Sequence, residues 1–210
     1  EAAALGPEHI SPYQLTIEAG TAFGRAAARG RLAPLGEDLA LALYETTQAV
    51  LQGEGFEAYE ISNHARGPAA RSRHNLAVWR GGDYIGAGPG AHGRITHAGR
   101  RVATVTARTV ADYVARVAAT GSGFASRERL SAREAAEERL LMGLRTTEGV
   151  AWADLAPLGL DRAHRLVAEL ASEGWLAAGA ESLSATAKGR PVLDHLIARL
   201  ARAGAHRDAA

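Results

Sequence analysis

Residues 72–93 read SRHNLAVWRGGDYIGAGPGAHG, and they hold the side chains with the clearest chemical potential in the chain. His74, Asn75 and Trp79 fall within one short stretch, followed by Gly86, Gly88, Gly90 and Gly93. A zinc site has no support here: His9, His64, His92 and His97 lack recognisable ligand spacing, and the chain has no Cys. Two readings of the stretch stay open. His74 and Asn75 could brace a strand end above a packed Trp79, since buried polar groups usually just satisfy backbone. Alternatively His74 could be an axial ligand to haem iron, which needs only one or two ligands within an apolar or aromatic pocket.

The glycine run raises the question of a phosphate loop, because glycine lets backbone N–H groups approach an anion. Pro89 removes one N–H, and RITHAGRRVATV downstream reads as turn and strand, where a dinucleotide motif needs a helix. Close passage of backbone past a flat ligand, or a tight turn at a sheet edge, suits the pattern better. Glu18 and Glu60 fall near the ends of two expected strands, where they could share a barrel mouth or simply be solvated. No Ser/His/Asp or Cys/His arrangement is present, so no catalytic residue is assigned.

These residues need a scaffold. HISPYQLTIE at 9–18 reads as a buried strand, and a long loop with Gly20, Gly24, Gly30 and Pro34 follows. Residues 37–52 have a helical stripe of Ala40, Leu43, Tyr44, Thr47, Val50 and Leu51. FEAYEIS at 56–62 is the next strand, so a parallel pair with a right-handed crossover is expected. DYIGAG and GRITH read as short strands. TVADYVARVAAT is a helix capped by Thr109 and ended by Gly121.

After about residue 125 the pattern is helical. SAREAAEERLLMGLR carries a capping box, Ser131 with Glu134, and an apolar face of Ala136, Leu140, Leu141 and Leu144. A short helix near Trp152 follows, then DRAHRLVAELASEG, capped at Asp161. WLAAGAESLS forms a small hairpin, and a last helix presents Leu193, Leu196, Ile197 and Leu200. This order is that of a winged-helix-like module. The charges of DRAHRLVAELASEG sum to a negative value, which does not suit a groove-reading helix. The terminal AGAHRDAA is expected to fray.

Composition narrows the classes. The 210 residues carry 24 Lys and Arg against 23 Asp and Glu, so nothing draws the chain to nucleic acid. No apolar run is long enough to span a membrane, and a cytoplasmic location is expected. The chain begins at Glu1, and its one Met is Met142, which leads to the expectation of a longer parent product.

HISPYQLTIEAGT, AYEISNHA, SRHNLAVWRGGDYIGAGPGAHG and LSAREAAEERLLMGLRTTEGV, in that order, resemble the HemW-type haem chaperones. That radical-SAM family is similar to oxygen-independent coproporphyrinogen III oxidase. The resemblance implies an α/β fold: at 1–124 the last strands of a partial (βα)6 TIM-like barrel, and at 125–210 a HemN C-terminal-type, winged-helix-like domain. It implies haem binding and delivery to acceptor haemoproteins, with His74, Asn75 and Trp79 standing in the family motif HNxxYW and His74 as the haem-iron ligand. Val78 replaces the motif's Tyr. It implies S-adenosylmethionine contacts around Thr16, Ala91 and His92. The [4Fe–4S] cluster is held in the family by CxxxCxxC, which this chain lacks, so the cluster and S-adenosylmethionine are expected in the full-length parent only and no catalysis is expected of this chain. An oligomer fits the reading, as does peripheral membrane contact by the parent. The rival enzyme reading is an oxidase fragment of porphyrin biosynthesis, separable by turnover of coproporphyrinogen III. A third is a protein- or DNA-binding module, separable by salt-sensitive duplex binding.

Overall fold

A computed structural model describes residues 1–205, which divide into two units, 1–72 and a second that begins at residue 73; residues 206–210 of the expected frayed end lie outside the described residues.

In the first unit, β1 (His9–Ile10), α1 (Ala22–Ala28), α2 (Glu37–Gly53), β2 (Glu57–Ala58) and β3 (His64–Ala65) follow one another. The expected parallel pair is corrected. β3 lies between the other two strands and is antiparallel to both, with His9 and Glu57 each opposite Ala65. The cause is local. The Tyr59–Asn63 turn closes with the Tyr59 N–H donating to the Asn63 carbonyl at 3.1 Å, and so short a hairpin costs far less loop entropy than a crossover. The expected strand at 9–18 shrinks to two residues. Pro12 has no N–H to donate to a ladder, and Tyr13 and Leu15 are exposed. Part of the expected long loop is the helix α1, capped by the Thr21 hydroxyl, which accepts the Gly24 N–H at 3.0 Å. The α2 boundaries agree with periodicity to within one residue, but of its stripe only Leu51 is buried, and Leu43 and Val50 are exposed.

The second unit opens with α3 (Arg73–Trp79) and a three-stranded antiparallel sheet of β4 (His92–His97), β5 (Arg100–Thr106) and β6 (Phe124–Arg129), in the order β4-β5-β6. Between β5 and β6 runs α4 (Val110–Thr120), capped by Thr109 and ended by Gly121 at φ 73° as expected. The charged sequence FASRER of β6 does not announce a strand: neither face is apolar, Phe124 being its one large hydrophobic side chain, and pairing with β5 supplies the strand.

The remainder packs as α5 (Ala132–Gly143), β7 (Val150–Ala151), α6 (Trp152–Leu155), α7 (Arg165–Ser172), β8 (Leu176–Ala178), β9 (Ser182–Ala185) and α8 (Leu193–Ala205). β9 is central, pairing antiparallel with β7 and β8. The expected β8–β9 hairpin is present, and the β7 edge is an addition. The capping box is formed: Ser131 accepts the Glu134 N–H, and the Glu134 carboxylate accepts the Ser131 N–H. Ala136, Leu140 and Leu144 are buried as expected, but Leu141 is exposed and Gly143 takes its place in the core. A Cβ on Gly143 would lie 2.6 Å from Val150 Cβ, so the helix approaches β7 as closely as backbone allows. The N-cap expected at Asp161 is His164, whose Nδ1 accepts the Leu166 N–H; Asp161 instead closes the preceding turn on the Ala163 N–H. Leu193, Leu196, Ile197 and Leu200 all face inward.

Leu140 has no exposed surface and sits at the centre of this core. Leu140→Ala is expected to cost about 2–5 kcal/mol of stability, read as a lowered urea midpoint at unchanged slope.

Candidate functional site

His74, Asn75, Val78 and Trp79 stand on α3 at i, i+1, i+4 and i+5, a spacing that gathers them on one side of a helix. Leu76 lies about 200° round the helix from His74 at 3.6 residues per turn, and it is the residue of α3 that is buried. His74 is exposed; Asn75, Val78 and Trp79 are partly buried. The stretch is therefore a short helix anchored by Leu76 that presents His74 outward and leaves Asn75, Val78 and Trp79 partly covered, rather than a braced strand end.

The helix ends in a Schellman turn. Gly81 takes φ 72°. Its N–H donates to the Val78 carbonyl at 2.9 Å, and the Gly82 N–H reaches the Ala77 carbonyl at 2.7 Å. Gly82 has no room for a side chain: a Cβ there would lie 2.7 Å from the Ala77 oxygen. Two carbonyls at this end are left for outside donors. The Arg139 Nη1 of α5 donates to the Trp79 carbonyl at 3.0 Å, and the Arg101 Nη1 of β5 donates to the Gly81 carbonyl at 2.9 Å. Arg80 forms a two-bond pair with Glu148, at 2.8 and 2.6 Å.

These arginines are themselves held. Both Arg139 Nε and Nη2 donate to Asp154 Oδ2, at 3.1 and 2.9 Å. Glu138 accepts Arg94 Nε on one oxygen at 2.5 Å and Arg101 Nε on the other at 2.8 Å, and all three side chains are largely buried. Asp83 accepts the Thr96 N–H at 2.7 Å and the Thr96 hydroxyl at 2.9 Å, with Arg101 3.4 Å away. The Thr96 bonds, with a smaller contribution from Arg101, hold the Asp83 carboxyl below the ordinary carboxylate range. None of these positioning side chains stands out in the sequence. The Arg-Gly-Gly after Trp79 signals a helix end, but no spacing rule joins Arg101 or Arg139 to it.

The glycine run is a turn leading into β4, and the N–H groups of Gly90 and Ala91 are spent within the fold. The Thr106 hydroxyl accepts the Ala91 N–H at 2.8 Å and donates to the Gly88 carbonyl at 2.6 Å; the Gly90 N–H reaches the Ala107 carbonyl at 2.8 Å. Gly86 and Gly93 press on neighbouring backbone and side chain: a Cβ would meet the His92 oxygen at 2.3 Å and Thr104 Oγ1 at 2.6 Å respectively. Close packing of backbone on backbone, rather than an open anion nest, explains these two glycines. Tyr84 bridges Arg94, so DYIGAG contributes one bridge and no strand. Ala91 is partly buried, His92 is exposed at the first position of β4, and Thr16 is exposed in an irregular segment of the other unit.

Glu60 departs from the solvated carboxylate expected of it. It is fully buried, and Oε1 accepts the Ser62 N–H and hydroxyl, at 3.0 and 3.1 Å, and the Asn63 amide. Its second oxygen, Oε2, is buried without a hydrogen-bond partner among the described residues. Glu18 is exposed, so the two carboxylates have different environments. The described residues contain no group of three or more His, Cys, Asp or Glu able to hold a metal ion.

An α/β chain with a small antiparallel sheet inside a helical module, and a motif helix tied to that module, defines a class shared with known proteins. Residues 130–192 match the HemN C-terminal domain family. The chain is 35% identical over 195 residues to heme chaperone HemW of Mycobacterium tuberculosis, covering 93% of this chain and 48% of that protein. It is 36% identical over 204 residues to the mouse radical S-adenosyl methionine domain-containing protein 1, mitochondrial, covering 92% of this chain and 46% of that protein. The fold is similar to that of coproporphyrinogen III oxidase (HemN) from Escherichia coli, a radical SAM enzyme, with TM-score 0.67 and 17% identity over 95% of this chain and 49% of that one. At that identity the likeness is one of fold. The chain belongs with the C-terminal part of the HemW-type radical S-adenosyl methionine proteins. It spans about half the length of the curated relatives it matches.

A carboxylate whose folded pKa is depressed contributes stability above the ordinary carboxylate range and loses it as pH falls through the folded value. Asp83 is such a group. The gap between the urea midpoints of the parent chain and of Asp83→Asn is expected to be full above the ordinary carboxylate range and to narrow progressively as pH falls below it. A constant gap across that range would remove the ionised carboxylate from the account.

Proposed function

We propose that this chain is the haem-handling part of a haem chaperone, with His74 as axial ligand to haem iron and Asn75 and Trp79 beside it on the same helix face. The observation that carries the reading is the coincidence of two facts. The relatives include proteins named heme chaperone HemW, and the stretch that resembles the HNxxYW motif, with Val78 in place of its Tyr, forms a helix on which His74 is exposed and Asn75, Val78 and Trp79 are partly buried. The donor set fits haem: an accessible imidazole with an aliphatic side chain one turn along, at Val78, and an indole on the same short helix are groups a porphyrin can use. Bound haem would supply the transferable cargo; the chain's own residues would ligate it at His74 and cover part of one porphyrin face with Trp79 and Val78.

Delivery to acceptor haemoproteins is part of the same proposal, as is a cytoplasmic setting. No helix among the described residues is long and apolar enough to cross a membrane. Contact with S-adenosylmethionine by Thr16, Ala91 and His92 is also a proposal. The [4Fe–4S] cluster does not fit the donors of this chain, which has no Cys, so no radical step is derived. A domain boundary near 124/125 is supported by the family match beginning at 130, and the order α5-β7-α6-α7-β8-β9-α8 supports a winged-helix-like C-terminal domain.

Titration of haemin into the chain is expected to give a shifted Soret band. His74→Ala should weaken binding more than about tenfold, the low end of what even outer partners of a metal ligand cost, and should change the band itself. Val78→Tyr places a phenol one turn from His74 and is expected to tighten binding. Unaltered binding and spectrum in His74→Ala would return the motif to a purely structural role.

A further inference from the structure

We infer that Arg139 is the positioning residue through which the 130–192 module fixes the end of α3, and thereby the direction in which that helix presents His74. The inference rests on the reading of His74 given above. α3 has only seven residues, too few for a helix to persist by its own hydrogen bonds. Its buried anchor is one side chain, Leu76. The Schellman turn satisfies the Ala77 and Val78 carbonyls but leaves that of Trp79. Arg139 occupies the remaining position, and its charge opposes the negative end of the helix.

The geometry leaves the guanidinium little freedom. Asp154 accepts two of its N–H groups from one side, while Nη1 reaches the Trp79 carbonyl on the other. Gly81 lies against its stem, and a Cβ there would stand 2.6 Å from Arg139 Cδ. Arg139 is 18% exposed, so solvent competes weakly for these bonds. Arg101 on the Gly81 carbonyl fixes the same turn from β5. α5 contributes Glu138 to hold Arg101 and Arg139 to hold Trp79, so two adjacent residues of the matched module control the turn. A planar fork with several donors is required here; a lysine carries the charge but cannot bind Asp154 and the carbonyl in the same arrangement.

The test compares the 210-residue chain with Arg139→Gln, Arg139→Lys and Asp154→Asn by amide hydrogen exchange and by haemin titration. In Arg139→Gln, exchange of residues 73–82 is expected to quicken about tenfold, with α7 and α8 protected as in the parent chain. Arg139→Lys should recover part of the protection. Asp154→Asn, which keeps the volume and releases the anchor, should lose some of it. Haemin affinity should fall about tenfold in Arg139→Gln, while the spectrum at saturation stays that of the parent chain because the ligand atom is unchanged. Unaltered protection of 73–82 in Arg139→Gln would overturn the inference. So would equal loss across α7 and α8, which would make Arg139 a brace of the module alone. If instead His74→Ala leaves haemin binding untouched, it is the haem reading that fails, and the exchange data still decide the role of Arg139.

Discussion

The buried fork of Glu138 is the interaction on which the second unit depends. Its two oxygens each take one arginine Nε, from Arg94 on β4 and Arg101 on β5. A carboxylate with both oxygens engaged by guanidiniums avoids the penalty of an uncompensated buried charge. The same bonds fix the three-stranded sheet against α5. From that fixed sheet Arg101 reaches the turn after α3, and from α5 Arg139 reaches the carbonyl before it. Motif helix, sheet and helical module are thus joined by polar contacts at their edges, while the apolar core around Leu140 and Leu183 lies inside the module.

This arrangement explains why the site residues look unremarkable one by one. The place of His74 is set by the Leu76 anchor and by what holds the C-terminal end of a short helix. The glycine run has a similar character. It resembles a ligand loop in composition, yet Thr106 and neighbouring carbonyls take up the N–H groups of Gly90 and Ala91. The scarcity of side chains at Gly86 and Gly93 is explained by what a Cβ would strike.

The elements most legible in the sequence are those stabilised by contacts a few residues apart. The capping box at Ser131 and Glu134, the Thr109 cap, the Gly121 stop and the faces of α5 and α8 all follow from spacing of three or four. Legibility fails where pairing choice matters. Residues 9–18 have strand composition, but a strand needs partners, and the hairpin to β3 claims the edge that a parallel neighbour would use. Gly143 is buried on α5 because the close approach of β7 leaves no room there for a side chain. Glu60 has the sequence setting of a solvated carboxylate, but its burial depends on how Ser62 and Asn63 fold back over it.

By itself, the sequence determined the family resemblance, the helical caps and faces of the C-terminal module, and the candidate motif His74, Asn75 and Trp79. Each of these is encoded over short separations, where residue type alone sets the backbone geometry. The tertiary structure decided that the motif is a helix with His74 on its exposed side, that the strands pair antiparallel, and that Arg101 and Arg139 meet the carbonyls of the turn behind it. Those outcomes join residues as far apart as Trp79 and Arg139. The energy of such a bond depends on burial and on the placement of both partners, and neither is written in the spacing of either segment.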